Sequence, residues 1–138
     1  MKIEGRIWKD KKSPYWIVEV PLLDVSTQGE SQEDAFLMVK DAIELEVDKL
    51  GFTVDIQSSK QGEVFEVSAE DSETLVAFML KRQRQAHGLT LRDVAQRMHA
   101  KSTNAYAQYE RGARHPTVSV LFNLLCAIDA KLVPVLRV

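Results

Sequence analysis

Leu89-Thr90-Leu91-Arg92-Asp93-Val94-Ala95-Gln96-Arg97-Met98-His99-Ala100-Lys101-Ser102-Thr103-Asn104-Ala105-Tyr106-Ala107-Gln108-Tyr109-Glu110-Arg111-Gly112 is the stretch on which the reading of the fold turns. Thr90 offers a side-chain oxygen to the free N–H groups of a helix over 91–98. A short break follows, then Ser102 or Thr103 opens a further helix that reaches Glu110 ahead of Gly112. The spacing predicts two short helices joined by a tight turn. Upstream, 75–87 reads as a helix stopped by Gly88. Downstream, Thr117 follows Pro116 and caps a helix over 118–128. In that last helix Val118, Leu121, Leu125 and Ile128 form the expected buried stripe. Residues 132–138 are β-prone, and Pro134 restricts them to an edge strand, suited to pairing with its copy in a dimer.

The chain before this helical stretch follows a different period. Ile3, Gly5 and Ile7 alternate with Lys2, Glu4, Arg6 and Trp8, which predicts a half-buried strand. Residues 9–14 make a charged turn. Residues 15–20, rich in aromatic and β-branched side chains, form a second strand stopped by Pro21, and 24–27 add a short third one. Ser31 opens a helix with Glu33 and Asp34 in its first turn, where they suit the helix dipole. Phe36, Val39, Ala42, Ile43, Val47 and Leu50 recur at three and four, one face of a helix about twenty residues long that ends near Gly51. Phe52-Val54-Ile56 and Val64-Phe65-Val67 read as two further strands joined by a polar turn ending at Gly62. Residues 68–74 turn small, polar and acidic, and read as a linker.

The formal charge of -2 hides a split. Residues 1–70 hold eight Lys/Arg against fifteen Asp/Glu, a net of -7; residues 71–138 hold ten against five, a net of +5. Such asymmetry points to two surfaces with different partners, the basic one suited to phosphate and the acidic one to a basic protein. The six glycines stand at 5, 29, 51, 62, 88 and 112. No two are close enough for a dinucleotide fingerprint or a P-loop. The single Cys126 excludes an intrachain disulfide and suits a reducing compartment. The longest apolar run, 75–80, is far short of the ~20 residues of a membrane helix. The first residues alternate instead of building a signal peptide. The expectation is a soluble cytoplasmic protein with no membrane partner.

Two short helices with a tight turn, the second polar along one side, is the arrangement that lets a helix enter the DNA major groove. The stretch from Gly88 to Met98, together with Tyr109-Glu110-Arg111-Gly112-Ala113-Arg114-His115-Pro116, resembles the phage-repressor (XRE-type) helix-turn-helix family over roughly 72–130. The resemblance implies a structural ion pair between Arg84 and Glu110. Alignment on Glu110 places Thr103, Asn104 and Gln108 where family members read bases, and Tyr106 and Tyr109 in packing roles. Amides can pair bidentately with adenine, and a threonine methyl can touch that of thymine. Lys101, Arg111 and Arg114 are the phosphate candidates. The chain departs from the family in a turn one residue longer between His99 and Asn104, and in Leu91 where many members carry a glutamine.

In the first half, Tyr15-Trp16-Ile17-Val18-Glu19-Val20-Pro21 followed by Thr27-Gln28-Gly29-Glu30-Ser31-Gln32-Glu33-Asp34-Ala35 is similar to the HicB antitoxin family. The resemblance covers about 1–70 and implies a small α+β domain like a partial RNase H fold. It further implies a DNA-binding antitoxin, dimeric or a higher even oligomer, that caps a HicA-type RNA-cleaving toxin and represses its own operon at double-stranded operator DNA.

Other readings rest on less. An RNase H-like fold invites metal-dependent nuclease chemistry on Asp10, Asp24, Glu46, Asp48 and Asp55, but the helix carboxylates interleave with lysines and read as a solvated face. His87, His99, His115 and Cys126 make no ligand pair at short spacing, so no metal, cofactor or catalytic site is expected. Cys126, between Leu125 and Ala127, reads as core. Trp8 and Trp16 read as sheet packing or, if exposed, as an interface anchor. The remaining alternative is a stand-alone helix-turn-helix regulator whose first domain dimerises or senses a ligand. The fold class expected is thus an α+β domain over 1–70 and an all-α helix-turn-helix domain with a short C-terminal strand over 71–138.

Overall fold

Alternation along the first strand produces the middle of a sheet. In the computed structural model, which describes residues 1–60 and 62–135, β1 (Ile3–Lys9) buries Ile3, Gly5 and Ile7 and exposes the residues between them. β2 (Trp16–Val20) and β3 (Val25–Gly29) extend the sheet on one side of β1, and β5 (Val64–Ser68) and β4 (Asp55–Ser58) on the other. The order is β3-β2-β1-β5-β4 with every neighbour antiparallel. A single 3₁₀ turn at Pro21–Leu23 separates β2 from β3, closed by Asp24 in the left-handed region.

Helix α1 (Gln32–Val47) packs on the face that carries Ile3, Ile7, Val18, Val20 and Phe65 and contributes Ala35, Val39 and Ile43 to the core. Ser31 caps it, its hydroxyl accepting from the Asp34 N–H at 3.0 Å. Gly5 is required here by close approach. A Cβ at that position would lie 2.2 Å from the Phe65 ring, which is fully buried and stands edge-on to Phe36 at 5.3 Å.

Helix α1 ends earlier than its apolar spacing predicts. Asp48 takes the left-handed conformation, φ 49°, and its N–H closes on the Glu44 carbonyl at 3.1 Å. Leu50 is therefore fully exposed instead of continuing the buried face. Phe52 and Val54 are buried but lie before β4, not in it. The region read as a linker begins a helix: α2 spans Ser72–Ala86, and Asp71 accepts from the Thr74 N–H and hydroxyl at 3.0 and 2.6 Å.

By its contacts the chain divides into two compact units, Met1–Leu75 and Val76–Val138. The second unit holds α3 (Leu91–Arg97), α4 (Thr103–Glu110) and α5 (Val118–Ile128), with Thr90, Ser102 and Thr117 as side-chain caps. Its core takes Phe78, Met79, Leu80, Val94, Tyr106, Leu124, Leu125 and Ile128. Two expectations for α5 fail. Val118 is 70% exposed, and Leu124 takes the buried place. Cys126 is exposed rather than core. The edge strand expected over 132–138 is not formed at 132–135, where the unit offers no strand to pair with among the described residues; 136–138 lie outside them. No helix among the described residues is long and apolar enough to cross a membrane.

Candidate nucleic-acid interface

The helix pair is held by chemistry buried beneath it. Arg84 on α2 donates from Nε to Glu110 Oε1 at 2.6 Å and from Nη2 to Oε2 at 3.1 Å. Its Nη1 donates to the Leu89 carbonyl at 2.8 Å. The two side chains keep only 13% and 6% of their surface, so this is a buried bidentate pair. Tyr106, itself buried, donates to the same Glu110 oxygen at 2.6 Å. Glu110 holds the Arg84 guanidinium more firmly charged than usual, and burial followed by the Glu110 carboxylate pushes the Tyr106 phenol well above its ordinary range. The phenol thus stays a donor at every working pH. Removing one partner of such a pair costs about 3–5 kcal/mol because the other charge is left buried. The pair is structural and does not reach the surface.

Above this lock, α3 is started by a capping box in which Thr90 Oγ1 accepts from the Asp93 N–H at 3.1 Å and Asp93 accepts from the Thr90 N–H at 2.8 Å. The turn after α3 is closed by the Ala100 N–H on the Ala95 carbonyl at 2.9 Å. His99 stands in this turn at φ 53°, exposed, where a side chain costs about 1–2 kcal/mol relative to glycine. At the far end of α3, Arg97 donates to the carbonyls of Ala127 and Ile128 at 3.0 and 3.1 Å, capping the negative end of α5. Sequence reasoning missed that contact, for nothing local pairs residues thirty apart.

Ser102 caps α4, its hydroxyl accepting from the Ala105 N–H at 3.2 Å, and so fixes the register. Asn104, Gln108 and Arg111 then fall at intervals of four and three, on one stripe of the helix. Asn104 and Arg111 are exposed and Gln108 is half-buried. Thr103 is exposed in the first turn, beside this stripe, and Lys101 is exposed in the preceding turn. Arg114 is exposed past the helix end, its guanidinium 5.3 Å from the centre of the Tyr109 ring, and its N–H and that of Ala113 close on the Gln108 carbonyl. One contact changes how a candidate reads. Arg111 Nη2 donates to Asn104 Oδ1 at 2.8 Å, so Arg111 holds the amide in place.

Among the described residues no three His, Cys, Asp or Glu side chains are grouped to hold a metal. What the surface offers is a short helix with an amide and a hydroxyl at its exposed start and a second, half-buried amide one turn on, flanked by cations. That is hydrogen-bonding chemistry for base edges with phosphate contacts on either side.

Residues 80–134 match the family model described as helix-turn-helix, which accounts for α3, the turn, α4 and α5 and leaves residues 1–79 outside the match. No curated protein is similar enough to this chain to count as a relative.

Proposed function

From a helix-turn-helix domain at residues 80–134, we propose that the chain is a cytoplasmic DNA-binding antitoxin of the HicB type, acting by binding and with no chemistry of its own. In this reading α4 enters the major groove, Thr103, Asn104 and Gln108 meet base edges, and Lys101, Arg111 and Arg114 flank them. The observation that carries the DNA half is the stripe of exposed Asn104, half-buried Gln108 and exposed Arg111 on a capped helix within the half of net +5. Two copies would set two such helices in successive major grooves, roughly 34 Å apart on a pseudo-palindromic operator.

The first unit, with the partial RNase H-like fold implied by the HicB resemblance, would cover a small basic RNA-cleaving toxin of the HicA type. The outward row of α1 supports this: Leu37 and Leu45 are 56% and 78% exposed, in line with Glu33 and Asp41. Apolar anchors among carboxylates suit a basic protein surface. The test pairs two measurements on the full chain. Selection from a random duplex library should return a two-fold-symmetric site. A HicA-type toxin mixed with the chain should lose its RNA cleavage at one-to-one stoichiometry; a toxin left fully active would end the antitoxin half alone.

A second reading, a stand-alone regulator whose first unit binds a ligand, is favoured by one observation. A concave surface at the β1–β2 turn is lined by both tryptophans of the chain.

A further inference from the structure

The acidic unit carries a local concentration of positive charge, and it stands on a pocket. Lys9 at the end of β1 and Lys11 and Lys12 in the turn after it line a hollow of about 740 Å³ together with Ile7, Trp16 and Gln32. None of the three ammonium groups forms an ion pair among the described residues. Asp10, between them, is turned to Ser13, whose hydroxyl donates to its carboxylate at 2.6 Å. Glu63 is the other carboxylate on the lining, so cations still exceed anions there.

The register decides which groups face together. Lys9 lies opposite Trp16, and Ile7 opposite Val18. Residues two apart on a strand share a face, so Trp16 and Lys9 sit on the same side as buried Ile7 and Val18, the side that α1 covers further along. The hollow is therefore lined by a half-buried indole, a buried isoleucine and three exposed lysines. Such an indole stacks on a flat ring, and such lysines meet an anion. The volume falls within the ~300–1,000 Å³ of small-molecule sites. The rest of the unit selects for size. Residues 1–70 carry a net of -7, a field that repels a long polyanion, whereas one or two charges seated in the turn meet the lysines first.

We infer that this pocket binds a small aromatic anion of the nucleoside-monophosphate kind, its ring on Trp16 and its phosphate on Lys11 and Lys12. Side chains, not a glycine loop, hold the phosphate. The inference deepens the ligand-binding reading of the first unit and does not depend on DNA binding.

Trp8 and Trp16 are the only tryptophans, and both line the hollow, so the fluorescence of the full chain reports on it directly. AMP, GMP, CMP and UMP are titrated separately. At least one should give a saturable change, with the matching nucleoside about tenfold weaker. The Lys11→Gln/Lys12→Gln variant should weaken it by a similar factor. Trp16→Phe should remove the change, and Trp8→Phe should keep it. No saturation by any of the four up to about 10 mM would overturn the inference, as would a nucleoside binding as well as its monophosphate. A single strand of about eight nucleotides, or a polyglutamate peptide, binding more tightly than the monomer would give the pocket to a macromolecule and also overturn it. Operator binding measured on the same samples separates the two claims, since the titration reads the pocket whether or not DNA binds.

Discussion

The Asn104 amide, a base reader in the proposed function, has its oxygen already held by Arg111 at 2.8 Å. An amide reads adenine with oxygen and nitrogen together, so fixing one atom fixes the direction of the other. The oxygen keeps a second lone pair for the base. Arg111→Ala should therefore relax base preference at the same operator position as Asn104→Ala, each costing about 1–3 kcal/mol. The double variant should cost less than the sum, as coupled neighbours do. Competition binding with single-base-substituted duplexes checks this; a uniform loss over all sequences would return Arg111 to a plain phosphate contact. At this scale legibility was uneven. The pairing of Arg84 with Glu110 came with the resemblance, whereas the Arg111–Asn104 bond depends on side-chain reach across two turns, which spacing permits but does not specify. Cys126 was misread for a simple reason. Its apolar neighbours are adjacent in sequence, and on a helix adjacent residues do not share a face.

Helix beginnings marked by a side-chain cap were readable, whereas the beginning of α2 at Ser72 and the end of α1 at Val47 were not. A cap at an N-terminus is one side chain bonding to an N–H two or three residues on, so Ser31, Thr90, Ser102 and Thr117 announce themselves locally. The end of α1 needed Asp48 in a left-handed conformation, which apolar periodicity does not report. About one turn before that end, Glu44 ties α1 to the segment before β4. It accepts from the Thr53 hydroxyl at 2.6 Å and the Val54 N–H at 2.9 Å, with Lys40 Nζ at 2.8 Å. Burial raises its pKa, but the hydrogen bonds from Lys40, Thr53 and Val54 outweigh that and carry it from 4.5 down to about 2. A depressed folded-state pKa means stabilisation that is complete above 4.5 and is lost as the pH falls towards about 2. With a quarter of the side chain exposed, the contribution is on the order of 1 kcal/mol after solvent screening. Urea unfolding of the full chain, followed by tryptophan fluorescence, should show Glu44→Gln less stable by that amount at pH 7, with the gap closing as the pH falls to about 2 and below. A gap that persists at low pH would assign the loss to packing instead of charge.

Across the whole molecule, what sequence alone made visible was a split in charge: -7 over residues 1–70 and +5 over 71–138. The helical half was legible because caps, spacing and motif agree, and residues 80–134 match the helix-turn-helix model. The sheet order was less so, since β5 comes to lie between β1 and β4, a long-range pairing that no local pattern encodes. The charge split has a measurable consequence. Neutralising a phosphate releases condensed counterions, so each cation that touches the backbone adds ~0.9 to the slope of log affinity against log salt. Arg114 is exposed and braced on the Tyr109 ring, and in the proposed function it touches the backbone without reading a base. Arg114→Gln should weaken every duplex alike and lower that slope by about 1. Lys60→Gln removes the same charge from the acidic unit, where Lys60 is exposed, and should leave the slope unchanged. Equal effects from both would mean that net charge, not contact, governs the salt response, and the two halves would then not divide the work as their composition suggests.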